Sequence, residues 1–270
     1  MKKILTGFIL FLIITGFVGM SSCKNSSATK QKEKQEADTI KRQIETHVYP
    51  LPTSAEVINM LTQLEVGYRV GLTNPVTNSK KYFESSKRAL NLGAYGADLS
   101  YATLYNQQQS VIDYLDAIGS LANELNMSKV YNQDLYPKIK QNFDNKDELV
   151  KILKSTFNDT YATLADNDQQ PLALLVVGGA WVEGMYLTTQ VSEAAYQVAG
   201  ISKVLLDQKG SFGTYLEITK DYMNDPIVGD FVKKLDPIKK VYEGIGTSLT
   251  EQNIKDITTA IIGIREEMIK

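Results

Sequence analysis

The residues of this 270-residue chain best suited to chemistry are two acids set among small and aromatic neighbours, Asp98 and Glu183. Asp98 lies in Leu92-Gly93-Ala94-Tyr95-Gly96-Ala97-Asp98-Leu99-Ser100-Tyr101-Ala102. On a helix, Gly93, Ala97 and Ser100 line one face, while Asp98 and Tyr101 share another with Tyr95 and Tyr105 within about a turn. That places a carboxylate among phenols, a setting that can hold a ligand or move a proton. It equally describes a tight helix crossing whose buried acid is hydrogen-bonded for structural reasons. Two glycines cost a helix roughly 1 kcal/mol each relative to alanine, so close packing has to offset them.

Glu183 stands 85 residues after Asp98, and the same offset aligns Gly93 with Gly178, Tyr101 with Tyr186 and Thr103 with Thr188. If two similar halves pack around a pseudo-twofold, Asp98, Tyr101, Glu183 and Tyr186 share one polar pocket. Coincidence is the competing explanation, since the spacing is far longer than that of common helical repeats. Facing acids would serve as acid and base in a glycosidase-like enzyme, with Tyr101 and Tyr186 as ligand-binding residues.

Other chemistries are narrowed by composition. His47 is the single histidine, which excludes a histidine-based triad and a multi-histidine metal site. Asp166 and Asp168 lack the glycine and closing glutamate of a calcium loop and read as turn residues. Gly178-Gly179 has neither a preceding strand nor phosphate-loop residues after it. No cofactor and no metal is expected.

The elements that must position these residues begin with an export signal. Met1-Lys2-Lys3, the apolar run Ile4 to Val18 and Gly19-Met20-Ser21-Ser22-Cys23 give a basic start, a short apolar core and small residues before a cleavage point. About fifteen apolar residues fall short of the roughly twenty that span a membrane, so residues 1–22 read as a removable signal. Cys23, the one cysteine, sits at the cut. The segment resembles a bacterial lipoprotein signal, with Met20 where a leucine is usual. That resemblance implies diacylation on the Cys23 sulfur, palmitate included, and acylation of the new amine. Two or three chains make a stable anchor. Residues 23–48 are polar and mixed in charge and read as a flexible lipidated tether.

The formal net charge is −2, and loss of Lys2 and Lys3 makes the mature chain more acidic, which argues against nucleic acid as a partner. Residues 49–270 are read as one all-α domain, a bundle of about nine or ten helices. Thr53 with Glu56, Asn145 with Glu148 and Ser248 with Glu251 match capping boxes, and Asp225-Pro226 and Asp236-Pro237 match an N-cap followed by proline. Helices are expected over 79–90, followed, with or without a break, by the stretch from Leu92 to Tyr105, where Gly93 and Gly96 allow a kink, and over 111–126 and 145–164, with a shorter one inside 128–142 that keeps Pro137 in its first turn. Pro171 opens the most apolar stretch, Leu172 to Trp181, which reads as the central helix buried all round. Further helices are expected from Val191 to a stop at Gly210 and from Phe212 to Met223. The last carries a buried stripe of Ile254, Ile257, Ile261, Ile264 and Met268.

Three segments, Tyr49-Pro50-Leu51-Pro52-Thr53-Ser54-Ala55-Glu56-Val57, Lys81-Tyr82-Phe83 and Ala89 to Ala102, resemble a group of uncharacterised all-helical lipoproteins of Bacteroidetes. The resemblance spans about a third of the chain and brings no activity with it. It implies a Gram-negative envelope location, at the outer membrane. The expectation is a non-catalytic envelope lipoprotein, held in the membrane through Cys23, that binds a partner protein or a small ligand. An enzyme using Asp98 and Glu183, or an assembly lipoprotein with no pocket, are the alternatives.

Overall fold

Two glycine-bearing helices cross at backbone contact, and the remaining helices are arranged around them. The computed structural model describes Thr39 and residues 67–131, 134–195 and 201–270, all within the unit Thr39–Lys270. The signal, Cys23, the tether, His47 and the Thr53–Glu56 box lie outside the described residues. Among the described residues there are nine α-helices and no strand. They are α1 (Ser85–Leu104), α2 (Gln108–Glu124), α3 (Leu135–Gln141), α4 (Lys146–Asp166) and α5 (Gln170–Ala195). α6 (Ile201–Thr219), α7 (Pro226–Lys234), α8 (Asp236–Glu243) and α9 (Glu251–Ile269) follow. A 3-10 segment, Val76–Lys81, precedes α1, and a second, Lys220–Tyr222, follows α6. The all-α bundle expected from periodicity is the fold.

α5 is the most apolar helix, and its buried residues run almost unbroken from Ala173 to Met185. Gln170–Gln190 is long and apolar enough to cross a membrane, but 89% of that window is buried inside the protein, as suits a core helix. α1 is its match, buried on nearly every face from Ala89 to Thr103. Leu90 meets Gly179, Gly93 meets Val176 and Ala180, and Ala97 and Tyr101 cluster with Leu187, so the two helices are packed along much of their length.

The glycines make that approach sterically possible. A Cβ on Gly93 would lie 2.0 Å from the Val176 carbonyl oxygen, and one on Gly179 would lie 2.0 Å from that of Leu90. Gly178 faces elsewhere, since a Cβ there would strike Phe231 and Tyr215, which close over α5 from α7 and α6. The crossing is therefore locally two-fold, but it pairs Gly93 with Gly179, one residue off the register in which Gly93 aligns with Gly178. Around the pair, α2 covers α1, α4 bridges α1 and α5, and α6, α7 and α9 pack on α5.

Helix ends follow local chemistry. α1, α2 and α4 stop by the same device, a left-handed residue just past the helix: Asn106, Asn126 and Asp168, with φ of 58°, 61° and 58°. The following amide then bonds back to a carbonyl of the last helical turn: Gln107 to Ala102, Met127 to Ala122, Gln169 to Leu164. Asn145 accepts from the Glu148 amide, and Asp225 accepts from the Ile227 and Val228 amides ahead of Pro226.

Several expectations change. Val191 to Ala195 continue α5 rather than opening the next helix, which starts at Ile201. α1 starts at Ser85 rather than Ser79, because Ser79 is used inside the 3-10 turn, bonding the Val76 carbonyl, and Tyr82 is extended. Asp236 is the first residue of α8 rather than its cap, since Leu235 continues in helical geometry from α7. The box at the start of α9 is Thr250 with Asn253, not Ser248 with Glu251. Gly210 does not end a helix: α6 runs through it to Thr219, because Leu205, Phe212, Tyr215 and Ile218 keep one buried face continuous past it.

Candidate functional site

Asp98 and Glu183 meet one turn beyond the glycine crossing, which is what brings the two helices close enough for their side chains to touch. Both residues are 0% exposed. The Glu183 carboxylate is gripped by Arg265 of α9: Nε donates to Oε1 at 3.0 Å and to Oε2 at 2.8 Å, and Nη2 donates to Oε1 at 2.8 Å. The same Nη2 donates to the Leu72 carbonyl at 3.3 Å, and the guanidinium lies 3.9 Å from the centre of the Tyr186 ring. Arginine suits this place because its planar fork engages a carboxylate and stacks on an aromatic face at once. Burial works against the Arg265 charge, but Glu183 outweighs it and holds the guanidinium protonated above its ordinary value.

Asp98 is bonded differently. Its Oδ2 accepts the backbone amide of Asn74 at 3.1 Å. Treated as a carboxylate, its Oδ1 has no donor at all. Treated as a carboxylic acid, Asp98 can donate to Glu183, whose side chain lies within hydrogen-bonding reach. Charge counting favours the acid: two carboxylates against one guanidinium would leave a bare negative charge in the core, a cost that protonation removes. Burial first, and the Glu183 charge second, raise Asp98 well above the usual carboxylate range, while Arg265 and the Asn74 amide oppose them only in part. Asp98 is thereby held toward its neutral form beside Glu183.

A shell of amides and phenols extends the cluster. Asn74, also 0% exposed, donates from Nδ2 to the Tyr82 hydroxyl at 3.1 Å and to Asn91 Oδ1 at 3.2 Å. Asn91 donates to the Lys87 and Met268 carbonyls, Tyr82 to the Ile269 carbonyl and Tyr95 to the Pro75 carbonyl. Burial pushes the phenols of Tyr82, Tyr95 and Tyr114 above their ordinary value, so they stay neutral donors around the acids. The network thus ties four stretches distant in sequence, the 72–75 loop, α1, α5 and the end of α9, into one clasp.

Of the residues named from sequence, Asp98 and Glu183 come together, and Tyr186 joins them through Arg265. Tyr101 does not bond Asp98. Its hydroxyl accepts the Arg69 amide at 3.2 Å, and its ring packs at 5.3 Å on Tyr68 and 4.9 Å on Tyr105. The phenols near Asp98 are those of Tyr95 and Tyr114 instead, with Tyr82 nearer Glu183 and Arg265. Sequence reasoning alone misses Arg265, Asn74 and Asn91. Arg265 carries a readable signal, a charge on the face that holds Ile257, Ile261 and Met268. The asparagines carry none, since their partners are set only by tertiary folding. Cys23 lies outside the described residues. Asp168 takes the turn conformation expected of it.

In comparisons with known proteins, no family model, curated protein or solved structure matches the chain.

Proposed function

We propose that this chain is a non-catalytic cell-envelope lipoprotein, anchored by lipid on Cys23 at the outer membrane of a Gram-negative bacterium, whose helical body binds a partner protein or a small ligand. One observation carries the non-catalytic part: the acids Asp98 and Glu183 are sealed from solvent and spent on each other, Arg265 and the Asn74 amide. A glycosidase needs its two carboxyl groups about 5 Å or more apart, with sugar or water between them. Carboxyls in hydrogen-bond contact leave no such space. The anchoring part is supported by the signal segment and Cys23.

Metabolic labelling with radioactive palmitate in a Gram-negative host tests the anchor. The full chain is expected to take up label and fractionate with outer membranes, and Cys23→Ser to lose the label completely. An unlabelled parent chain, or label retained in the variant, overturns the anchoring proposal.

A further inference from the structure

A cleft of about 220 Å³ opens between the start of α1, α7 and the end of α9. Its floor is apolar: Leu90, Leu175, Phe231, Ile264 and Met268, every one of them buried. Its rim is charged in both signs. Lys234 is paired with Asp230 at 2.9 Å, but Glu84 and Glu267, both exposed, take part in no ion pair among the described residues. Lys87 is held in place by backbone rather than by an acid, donating to the Glu267 carbonyl at 2.9 Å and the Met268 carbonyl at 3.5 Å. Above the apolar floor, Glu84 and Glu267 lie near enough to Lys87 to favour its charge, but none of the three closes into an ion pair among the described residues, so a bound group can engage them.

We infer that this cleft binds a small zwitterion with an apolar side chain, of the size of a single hydrophobic amino acid. The ligand's ammonium meets Glu84 and Glu267, its carboxylate meets Lys87, and its side chain lies on Leu175, Phe231 and Ile264. Size fits that class. Bulk water occupies about 30 Å³ per molecule, so the cleft has room for about seven waters, and drug-sized ligands need pockets of about 300 Å³ or more. Charge also fits it. A purely anionic amphiphile would face two carboxylates, while a zwitterion pairs every free charge on the rim. Burial and nearby Lys234 lower the proton affinity of Lys87, Glu84 and Glu267 oppose them in part, and a bound carboxylate would add to that support. This site supplies the ligand for the binding role proposed above and rests on that role. It does not depend on the lipid anchor, so the labelling experiment and the following one fail independently.

Isothermal titration of the full chain in detergent micelles with L-leucine, leucine amide and N-acetyl-leucine tests the assignment. L-leucine is expected to bind saturably at one site. Each analogue, lacking one head-group charge, should bind at least about tenfold more weakly, the equivalent of one lost contact of about 1.4 kcal/mol. The double variant Glu84→Gln/Glu267→Gln should weaken leucine binding by a similar factor with an unchanged melting temperature, since both side chains are exposed and outside any ion pair. Absence of saturable heat with leucine, either analogue matching leucine, or an unaffected double variant overturns the proposal.

Discussion

At the scale of single residues, the decisive feature is that Asp98 and Glu183 are not equivalent. Glu183 has a full-strength partner in Arg265, and Asp98 has one amide and a proton. Substitutions at the two positions should therefore differ sharply. Glu183→Gln strands the Arg265 cation in the core and is expected to destabilise the fold by about 3–5 kcal/mol, read from denaturant unfolding. Asp98→Asn keeps the shape, keeps an acceptor for the Asn74 amide and puts an amide N–H where the acid proton stood. It should cost less than about 1 kcal/mol near pH 4, and the difference from the parent should shift in the variant's favour as pH rises. Equal losses in the two variants would contradict the assignment of the proton to Asp98. The acids themselves were legible in sequence, because a charge in a glycine-rich apolar helix has few places to go. Their partners were less so. Sequence reasoning misses Arg265, although a charge on an isoleucine stripe is a readable signal, and Asn74, from a loop, is like any turn asparagine.

At the scale of elements, the clasp exists because α1 and α5 touch backbone to backbone, and the glycines of α1 can be told apart by what lies over them. Gly93→Ala drives a methyl into the Val176 carbonyl, where no flexible side chain can yield, and should cost at least about 1–3 kcal/mol. Gly96→Ala meets nothing within 4 Å and should stabilise α1 by up to about 1 kcal/mol, through helix propensity alone. Thermal or denaturant melts of the two variants, measured side by side, check this; a shift of the same sign in both would contradict the packing described. Helix identity was legible from the 3.6-residue rhythm, and the buried stripe of α9 is present residue for residue. Helix ends were less legible. Gly210 offered a stop signal that the continuous apolar face of α6 overrides, and the true stops at Asn106, Asn126 and Asp168 use left-handed residues other than glycine. The glycine that faces Gly93 at the crossing is Gly179, one residue after the Gly178 that the 85-residue offset aligns with it, because helix packing is set by steric fit and not by matching letters.

At the scale of the whole molecule, the clasp joins the loop before α1 to the end of α9, so its protonation is coupled to global stability. Asp98 is raised above its ordinary value in the folded state, with 3.8 as the unfolded reference. The folded chain then binds one more proton than the unfolded chain once pH exceeds about 4. Its stability contribution is complete below that pH and is lost progressively as pH rises toward the folded pKa. The most direct test is the unfolding free energy measured by denaturant titration between about pH 5 and 8, on the parent chain and on Asp98→Asn. The parent should lose stability with rising pH by up to about 1.4 kcal/mol per unit, one proton's worth, and the variant should lose that part of the slope while remaining folded. Identical slopes in the two chains, or a parent chain that gains stability over that range, would contradict a buried acid pair that holds a proton and serves the fold rather than catalysis.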